Sequence, residues 1–279
     1  MTALIVTHNC ADALRRTLKA LQSSSNHESL EVVVIDNGSV DGSQQLDSEF
    51  PSTHFMRLPK HFGFTKAANI GMRTAKGESI FFVRPGYEVL PETIPQLVAG
   101  LEDNRDAGAV CPRIDYAYRL PTPASLTDDG KSRELSGRIA LQAVDTPTPV
   151  EYPAGAPMLV PRAILRGMNY LDEQFAEFWW DAELCWQIRN AGKRILVLPV
   201  EPPAILPTAV FPSAAYASDW GVGAGRYIAK HAGFGSGLSF RLSASLHALG
   251  KILTFQNAGF HFSLLTGLIS GQRIDGTQS

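Results

Sequence analysis

The most informative part of the chain lies between residues 31 and 42, which read Glu31-Val32-Val33-Val34-Ile35-Asp36-Asn37-Gly38-Ser39-Val40-Asp41-Gly42. Four successive β-branched residues without polar alternation are typical of a central strand buried on both faces, as in a parallel sheet covered by helices. Ligands of such sheets bind beyond the carboxyl ends of the strands. Asp36 therefore either contacts a ligand or caps the amides of the turn that follows it, and this stretch alone leaves both interpretations open.

Composition places the chain among ordinary globular proteins. Its 279 residues are 44% hydrophobic and 19% charged, with a formal net charge of -2, which suits one sizeable core and gives no support for nucleic-acid binding. Cys10, Cys111 and Cys185 are odd in number and widely spaced, which indicates free thiols in a reducing compartment. The chain enters a strand at once, and no apolar run reaches the roughly 18 residues of a spanning helix. We therefore expect a cytoplasmic protein without a signal peptide.

Predicted strands and helices alternate through the first part of the chain. Apolar runs predict strands at residues 4–7, 32–35, 54–58, 79–83 and 109–111. Helical periodicity and stop signals predict helices at residues 12–23, 62–75 and 91–102, with a turn and short helix within 39–49. Repeated βα units of this length require right-handed crossovers, and they predict an α/β/α sandwich with a mostly parallel central sheet.

The later part of the chain is less regular. Residues 113–150 are rich in Pro, Ser, Thr and Asp and are expected to form a loop or hairpin excursion, with strand character at 138–143. Core segments are expected at 150–160, 181–190 and 195–198, and apolar helices at 218–231, 238–255 and 260–269. The predicted organisation is one domain over residues 1–200, which includes the excursion, and a C-terminal helical extension over 201–279 packed on it.

Four motifs follow one another between about residue 3 and residue 198. They read Ile5-Val6-Thr7-His8-Asn9; Val34-Ile35-Asp36-Asn37-Gly38-Ser39-Val40-Asp41-Gly42-Ser43; Phe62-Gly63-Phe64-Thr65-Lys66-Ala67-Ala68-Asn69-Ile70-Gly71 with Ala75-Lys76-Gly77; and Leu171-Asp172-Glu173-Gln174-Phe175 with Asp181-Ala182-Glu183-Leu184-Cys185 and Arg189-Asn190-Ala191-Gly192. In this order and spacing they resemble the family 2 glycosyltransferases of the GT-A fold, in the bacterial rhamnosyltransferase-like branch. Each motif is weak by itself, and the resemblance depends on all four together.

The resemblance implies a donor, an acceptor and a reaction. The donor would be a UDP- or dTDP-linked sugar held over the carboxyl edge of the sheet, and the acceptor a carbohydrate or lipid-linked hydroxyl, with inversion, in cell-surface polysaccharide or glycolipid synthesis. Asp36 would accept hydrogen bonds from a pyrimidine N–H or ribose hydroxyls. The implied nucleotide-sugar contacts are Thr7, Asn9, Asp36, Asn37, Lys66 and Asn69. Lys66 would bring positive charge to the diphosphate, although Lys66 and Asn69 also fit an ordinary helix surface.

The last motif contains the implied catalytic acids. Inverting transfer needs a base that deprotonates the acceptor hydroxyl as it attacks the anomeric carbon. Asp181 stands where the family has that base, and it also fits a helix N-cap. Glu183 matches the second acid of the motif, and in a first helical turn it could orient a neighbour. Trp179 and Trp180 are expected to stack on an acceptor sugar or to anchor the core.

Three expected metal ligands are missing. Where the family usually has Asn-Pro-Asp after the fourth strand, this chain has Arg84-Pro85-Gly86; the glutamate before the base is Trp180; and no histidine follows the late strand within residues 202–213. Mg²⁺ and Mn²⁺, which are usual in the family, favour carboxylate oxygens. The sequence therefore predicts no metal site, with Glu88 as a weak substitute ligand. Arg84 would instead neutralise the departing diphosphate through bidentate contacts, unless it is an exposed loop residue.

Alternatives to this reading stay open at the sequence level. One is a degenerate GT-A protein that binds a nucleotide, a sugar or a protein partner without catalysis, although retention of Asp36 and Asp181 favours an enzyme. Another is a nucleotidyltransferase, which would need a glycine-rich phosphate loop where residues 8–12 stand. The C-terminal apolar segments leave room for a homodimer or for contact with the inner face of a membrane. Their few basic residues, Arg241, His247 and Lys251, favour packing within the protein or in a dimer.

Overall fold

The computed structural model describes residues 1–122, 138–141, 144–205 and 214–271. The strands are β1 Thr2–Thr7, β2 Glu31–Asp36, β3 His54–Arg57, β4 Ser79–Phe82, β5 Tyr87–Glu88, β6 Ala107–Cys111, β7 Tyr116–Tyr118, β8 Arg138–Ala140, β9 Thr148–Val150, β10 Met158–Pro161, β11 Arg194–Val197 and β12 Ala204–Ile205. The α-helices are α1 Ala11–Gln22, α2 Leu46–Glu49, α3 Phe64–Thr74, α4 Thr93–Asp103, α5 Arg162–Gly167, α6 Trp180–Asn190, α7 Ala214–Ala232, α8 Phe234–Leu253 and α9 Ala258–Ser270.

The main sheet is mostly parallel, as predicted. Its strand order is β3-β2-β1-β4-β10-β6-β11-β9, and within it β10 and β9 run against their neighbours. The register sets Thr7 beside Asp36, so the first two motifs end at the same edge. The predicted α/β/α sandwich is confirmed.

Alternation along β1 and β2 builds two cores, one on each face of the sheet. Leu4 and Ile35 point to the face covered by α3, where Met72 packs, and Ile5 and Val34 point to the face covered by α1 and α4. Helix α3 lies so close to the sheet that a Cβ at Gly71 would come within 2.4 Å of the Leu4 Cδ1. Because the residues of β2 alternate between the two cores, the prediction that residues 32–35 form a central strand is confirmed.

Some elements differ from the sequence expectations. Helix α3 begins at Phe64 instead of residue 62, because Gly63 adopts a φ of 80° that ends the preceding turn. Helix α5 and the small β5–β12 ribbon were not predicted, since neither exceeds six residues. The strand character expected at 138–143 is seen in β8, which pairs with β7, and residues 142–143 lie outside the described part.

The C-terminal helices share the core of the sheet domain. Tyr227 of α7 and Phe240 of α8 belong to the same buried cluster as Phe175 and Trp179. The Trp179 indole Nε1 donates a hydrogen bond to the Trp220 carbonyl at 3.0 Å, so α7 directly supports the segment that enters α6. The boundary at residue 200 stays a prediction. Within the described ranges, no helix has both the length and the hydropathy needed to span a membrane.

Candidate active site

A pocket at the carboxyl edge of the sheet brings three of the predicted residues together, Arg84, Trp180 and Asp181. It lies where β4 ends and α6 begins, and Arg84 and Asp181 both face it. Its remaining lining is largely apolar and aromatic: Phe64, Phe82, Val83, Tyr87, Gly155, Ala156, Pro157 and Trp180. Apolar walls with a few convergent polar groups are the usual composition of a small-molecule site.

The turns after β1 and β2 are tied together beside this edge. Asp36 is buried, and its Oδ1 accepts a hydrogen bond from the Ser39 amide at 2.9 Å, so the turn-capping interpretation of Asp36 is confirmed. Asn9 adopts a φ of 49°, and its Oδ1 accepts from the Val40 amide at 2.8 Å. The Thr7 carbonyl accepts from the Asn37 amide at 2.8 Å. These bonds give the edge a fixed shape before any ligand binds.

Asn37 combines burial with an unused donor. Its Oδ1 accepts from the Phe62 amide at 2.9 Å, which joins the β2 turn to the loop before α3. Within the described part of the chain, its buried Nδ2 has no hydrogen-bond partner. A buried amide nitrogen without a partner is costly and is often a ligand contact.

Lys66 and Asn69, both on α3, differ in their exposure to solvent. Lys66 is exposed, and its Nζ lies 4.6 Å from the centre of the Phe62 ring. Asn69 is buried and does not line the pocket: its Nδ2 donates to the Leu171 carbonyl at 2.9 Å and to Glu173 at 3.0 Å, while its Oδ1 accepts from the Leu171 amide. Asn69 therefore holds the segment that leads to Asp181.

Asp181 lies in the first turn of α6 and not at its N-cap, which is Trp179. The N-cap interpretation of Asp181 is wrong because the helix begins one residue earlier. The Asp181 carboxylate accepts from the Ala182 amide at 3.0 Å and from the Gly155 amide at 3.4 Å. Burial, followed by the charge of Asp181, raises the pKa of the neighbouring Tyr152 well above its usual value. The helix N-terminus favours a negative charge at this position.

The two tryptophans differ in what they contact. Trp180 stacks on Phe64, with ring centres 4.3 Å apart, and lines the pocket. Trp179 is buried against Trp220 and Tyr227 and anchors the core. Its φ of 74° lies in the left-handed region, which is unfavourable for a bulky side chain and is found mostly at functional sites.

Glu183 is directed towards the C-terminal helices and does not line the pocket. Its carboxylate lies 2.7 Å from the Lys230 Nζ and 2.6 Å from the His231 Nε2, and it accepts from Gln187 at 2.7 Å. Lys230 is also bonded to Asp172, at 2.6 Å. Glu183 therefore joins α6 to α7, directly behind Asp181.

Glu177 and His61 were not predicted from the sequence. The Glu177 Oε2 accepts from the Phe64 amide at 3.0 Å and lies 3.8 Å from the His61 Nε2. Desolvation, followed by the charge of Asp219, raises the pKa of Glu177 to about 7, against the opposite effect of Arg84. Desolvation and the nearby His8 lower the pKa of His61 to about 4, so the contact between Glu177 and His61 is not an ion pair at neutral pH. In the sequence, Glu177 could have been noticed as an acid within the aromatic segment 175–180.

The residues near Arg84 do not fit a divalent cation. In the motif described above, Arg84 stands in place of the asparagine and Gly86 in place of the expected metal-binding acid, so Gly86 offers no side chain there. Glu88 lies 3.6 Å from the Arg16 Nε, on the α1 side. The described residues contain no group of three or more His, Cys, Asp or Glu side chains arranged to hold a metal. Because Mg²⁺ and Mn²⁺ need several oxygen ligands, this edge presents a cation where those ions would require acids.

Arg84 itself is half-buried and available for a ligand. Its guanidinium forms no hydrogen bond or ion pair with any residue in the described ranges, although its charge acts on Tyr87, Tyr152 and Glu177. An arginine beside a pocket without a carboxylate partner is suited to a phosphate, which its planar guanidinium can bind through two parallel hydrogen bonds.

Comparison with known proteins agrees with this geometry. The family model described as Glycosyl transferase family 2 matches residues 2–161. The low-salt glycan biosynthesis hexosyltransferase Agl10 of Haloferax volcanii is 25% identical over 171 residues, which cover 59% of this chain and 55% of that protein. The dTDP-rhamnosyl transferase RfbF of Shigella flexneri is 25% identical over 202 residues, 71% of this chain and 66% of that protein. The chain thus matches between about half and two thirds of these relatives' lengths.

Solved structures show the same fold at low sequence identity. Residues 1–349 of S. aureus TarS in complex with UDP-GlcNAc give a TM-score of 0.57 at 15% identity, covering 97% of this chain and 90% of that one. The mannosyltransferase PcManGT from Pyrobaculum calidifontis, in complex with GDP-Man and Mn²⁺, gives 0.57 at 16% identity, covering 96% and 84%. The fold is therefore that of the GT-A glycosyltransferases.

Proposed function

This chain belongs to glycosyl transferase family 2, and on that basis we propose that it transfers a sugar from a nucleotide-diphosphate donor to an acceptor hydroxyl, with inversion at the anomeric carbon. The observation that best supports this function is the placement of Arg84 and Asp181 in one pocket at the carboxyl edge of the sheet. A transferase needs a base for the acceptor and positive charge for the leaving diphosphate, and these two residues supply both.

In the proposed reaction, Asp181 takes the proton of the acceptor hydroxyl as its oxygen bonds to the anomeric carbon. The bond between that carbon and the diphosphate oxygen breaks on the opposite face, and the electron pair leaves with the diphosphate. Arg84 binds the negative charge that develops there. The Ala182 and Gly155 amides hold the Asp181 carboxylate in place for this step by donating hydrogen bonds to it.

The nucleoside is proposed to bind over the turns after β1 and β2. Asp36 and Asn9 lie in these turns, Thr7 ends β1, and the unpaired Nδ2 of Asn37 is a donor for a base or ribose oxygen. The exposed Lys66 adds charge near the diphosphate. Relatives and structural neighbours whose names include dTDP-rhamnosyl, UDP-GlcNAc and GDP-Man support a nucleotide-sugar donor, and we propose a UDP- or dTDP-linked hexose or deoxyhexose.

Other residues of the site are proposed to position the reacting groups. Glu183, through Lys230 and His231, and Asn69, through Leu171, hold the segment that contains Asp181. Glu177 lies beside Arg84 and accepts from the first amide of α3. Trp180 is proposed to contact the acceptor sugar from the pocket wall, whereas Trp179 acts through the core.

The metal dependence of the reaction is proposed to differ from that of relatives with an acid after β4. We propose that Arg84 supplies the positive charge that a divalent ion would otherwise supply, because the residues present there do not fit Mg²⁺ or Mn²⁺. The lipid-linked or carbohydrate acceptor and the homodimer stay predictions. A non-catalytic scaffold is not favoured, since the base and the cation share a pocket.

The direct test is transfer from UDP- and dTDP-sugars to carbohydrate and lipid-linked acceptors, with Asp181→Asn and, as a surface control, Asp103→Asn at an exposed position of α4. We expect Asp181→Asn to abolish transfer while its thermal unfolding stays close to that of the wild type. Equal turnover by wild type and Asp181→Asn would remove the proposed role of this carboxylate.

A further inference from the structure

Arg84 and Tyr87 reach the pocket from the two ends of one tight turn. The turn is closed by a hydrogen bond from the Tyr87 amide to the Arg84 carbonyl at 3.2 Å. Its central residues are Pro85 and Gly86, and the φ of Gly86 is 97°, which is the pattern of a type II turn. The Gly86 amide also donates to the Thr17 hydroxyl of α1 at 2.9 Å. The turn is thus anchored on α1, and it places Arg84 and Tyr87 on the same pocket.

The Tyr87 hydroxyl crosses to the loop before β10. It donates a hydrogen bond to the Gly155 carbonyl at 2.8 Å. Tyr87 is buried, and burial raises the pKa of its hydroxyl, against the opposing effect of the Arg84 charge. The hydroxyl therefore keeps its proton at neutral pH and acts as a donor. Because that single proton is bonded to Gly155, the hydroxyl has none left to donate to a phosphate.

Gly155 connects this contact to Asp181. It lies in a turn closed by the Ala156 amide and the Pro153 carbonyl at 3.0 Å, and its φ is 73°, a conformation that glycine adopts without strain. The Gly155 amide donates to the Asp181 carboxylate at 3.4 Å, which is longer than the roughly 2.7–3.2 Å that is usual for such bonds. A small displacement of Gly155 away from Asp181 would therefore break this bond.

We propose that Tyr87 is a positioning residue for the reaction, which holds the Gly155 amide against the Asp181 carboxylate and so fixes this base relative to Arg84. This inference rests on the proposed function, in which Asp181 accepts the proton and Arg84 binds the diphosphate. The base and the cation come from distant parts of the chain, and Tyr87 and Gly155 form a bridge between them. A displacement of about 1 Å at a reacting group can lower a rate about a hundredfold.

The test compares Tyr87→Phe with the wild type and with the control Tyr170→Phe, all as the full chain. Phenylalanine keeps the ring of Tyr87 in its core cluster and removes only the hydroxyl. Tyr170 packs on Arg73 in the last turn of α3, at the end of that helix opposite to Phe64 and the pocket. Circular dichroism and thermal unfolding check that each variant folds.

Three quantities are measured for each protein. They are kcat and the acceptor KM for sugar transfer, the Kd for UDP and dTDP by calorimetric titration, and hydrogen exchange of the amides in residues 153–157 by mass spectrometry. We expect Tyr87→Phe to lower kcat about ten- to hundredfold and to leave KM and Kd unchanged. Exchange in residues 153–157 should become about two- to twelvefold faster, as the loss of one hydrogen bond predicts. Tyr170→Phe should match the wild type in all three.

Each other outcome would overturn the inference in a recognisable way. A Kd that rises in Tyr87→Phe as in Arg84→Ala would assign Tyr87 to diphosphate binding. A lower kcat with unchanged exchange in residues 153–157 would show that Tyr87 does not act through Gly155. An unchanged kcat in Tyr87→Phe, with Asp181→Asn inactive, would remove this inference and leave the proposed function standing. Equal turnover by wild type and Asp181→Asn would remove both.

Discussion

Replacing Arg84 by alanine should weaken the binding of the nucleoside diphosphate product. The guanidinium faces the pocket and has no ion-pair partner among the described residues, so its charge is free to bind a phosphate. A hydrogen bond that involves an ionised group contributes about 1.5–3 kcal/mol, and the loss of one such contact corresponds to roughly a 10- to 150-fold rise in Kd. The assay is calorimetric titration with UDP and dTDP in the presence of EDTA.

Two further variants make this assay specific to Arg84. Arg84→Lys keeps the charge but loses the planar guanidinium, so its Kd should lie between those of wild type and Arg84→Ala. Arg113→Ala removes an exposed arginine that pairs with Glu201 at 3.0 Å, away from the pocket, and its Kd should equal that of the wild type. An unchanged affinity in Arg84→Ala, or wild-type binding that disappears in EDTA, would refute the substitution of Arg84 for the metal.

Three other variants test the site. Asp181→Asn should abolish transfer, measured by a product assay, and keep the nucleotide affinity, measured by titration. A loss of affinity alone would assign Asp181 to donor binding. Glu183→Ala should lower the free energy of unfolding by roughly 2–4 kcal/mol, because Lys230 and His231 lose a buried partner. The measurement is denaturant unfolding, and an unchanged free energy would show that this network does not stabilise the fold. The pKa of Glu177 is raised from 4.5 to about 7, so its contribution to stability is present below pH 4.5 and is lost as the pH rises through about 7. The difference in melting temperature between Glu177→Gln and the wild type should therefore be more favourable to the variant at pH 8 than at pH 5. An equal difference at both pH values would show that Glu177 is solvated.

His61 should change the pH dependence of stability in the direction opposite to Glu177. Its pKa is lowered from 6.5 to about 4, so the unfolded chain binds the proton first and stability falls as the pH drops from 6.5 towards 4. In the wild type the two effects offset each other between about pH 4.5 and 6.5. In Glu177→Gln the offset is absent, so stability should fall more steeply than in the wild type as the pH drops from 6.5 towards 4.

The sequence predicted the parts of the fold that depend on local patterns. The run from Val32 to Ile35 has the composition of a doubly covered strand, and Val33, Val34 and Ile35 are fully buried while Val32 is half-buried. The turn after it follows from Asp36 and Gly38, whose φ is 80°. Helix α5 and the β5–β12 ribbon are too short for periodicity to show, and their formation depends on contacts distant in sequence.

The candidate site was predictable only where its residues belong to motifs. Asp181 and Arg84 were found from their place in a pattern, but their shared pocket arises from strands and helices about a hundred residues apart. Glu177 was missed because its partner, the Phe64 amide, is 113 residues away. The pairing of Glu183 with Lys230 spans 47 residues and likewise has no local signal.

The exposure of one side of α8 could not be read from sequence either. Apolar residues in α8 indicate that the helix packs. Phe240 and Ala248 are buried within the chain, and packing in a dimer stays a prediction. Helical periodicity does not distinguish the side covered by α7 and α9 from the side left open, because both are apolar. Only the arrangement of the three helices shows that Leu246 and Leu253 stay exposed.

The central claim is that Asp181 and Arg84 transfer a sugar from a nucleotide-diphosphate donor with inversion. Its most direct measurement is slow donor hydrolysis without an acceptor, in EDTA, followed by nuclear magnetic resonance of the released sugar for a set of UDP-, dTDP- and GDP-sugars. The account predicts that one donor is consumed, that the first anomer released is the inverted one, and that Asp181→Asn releases none. Consumption with retention of configuration, or no consumption of any donor by a protein that binds the nucleotide, would contradict it.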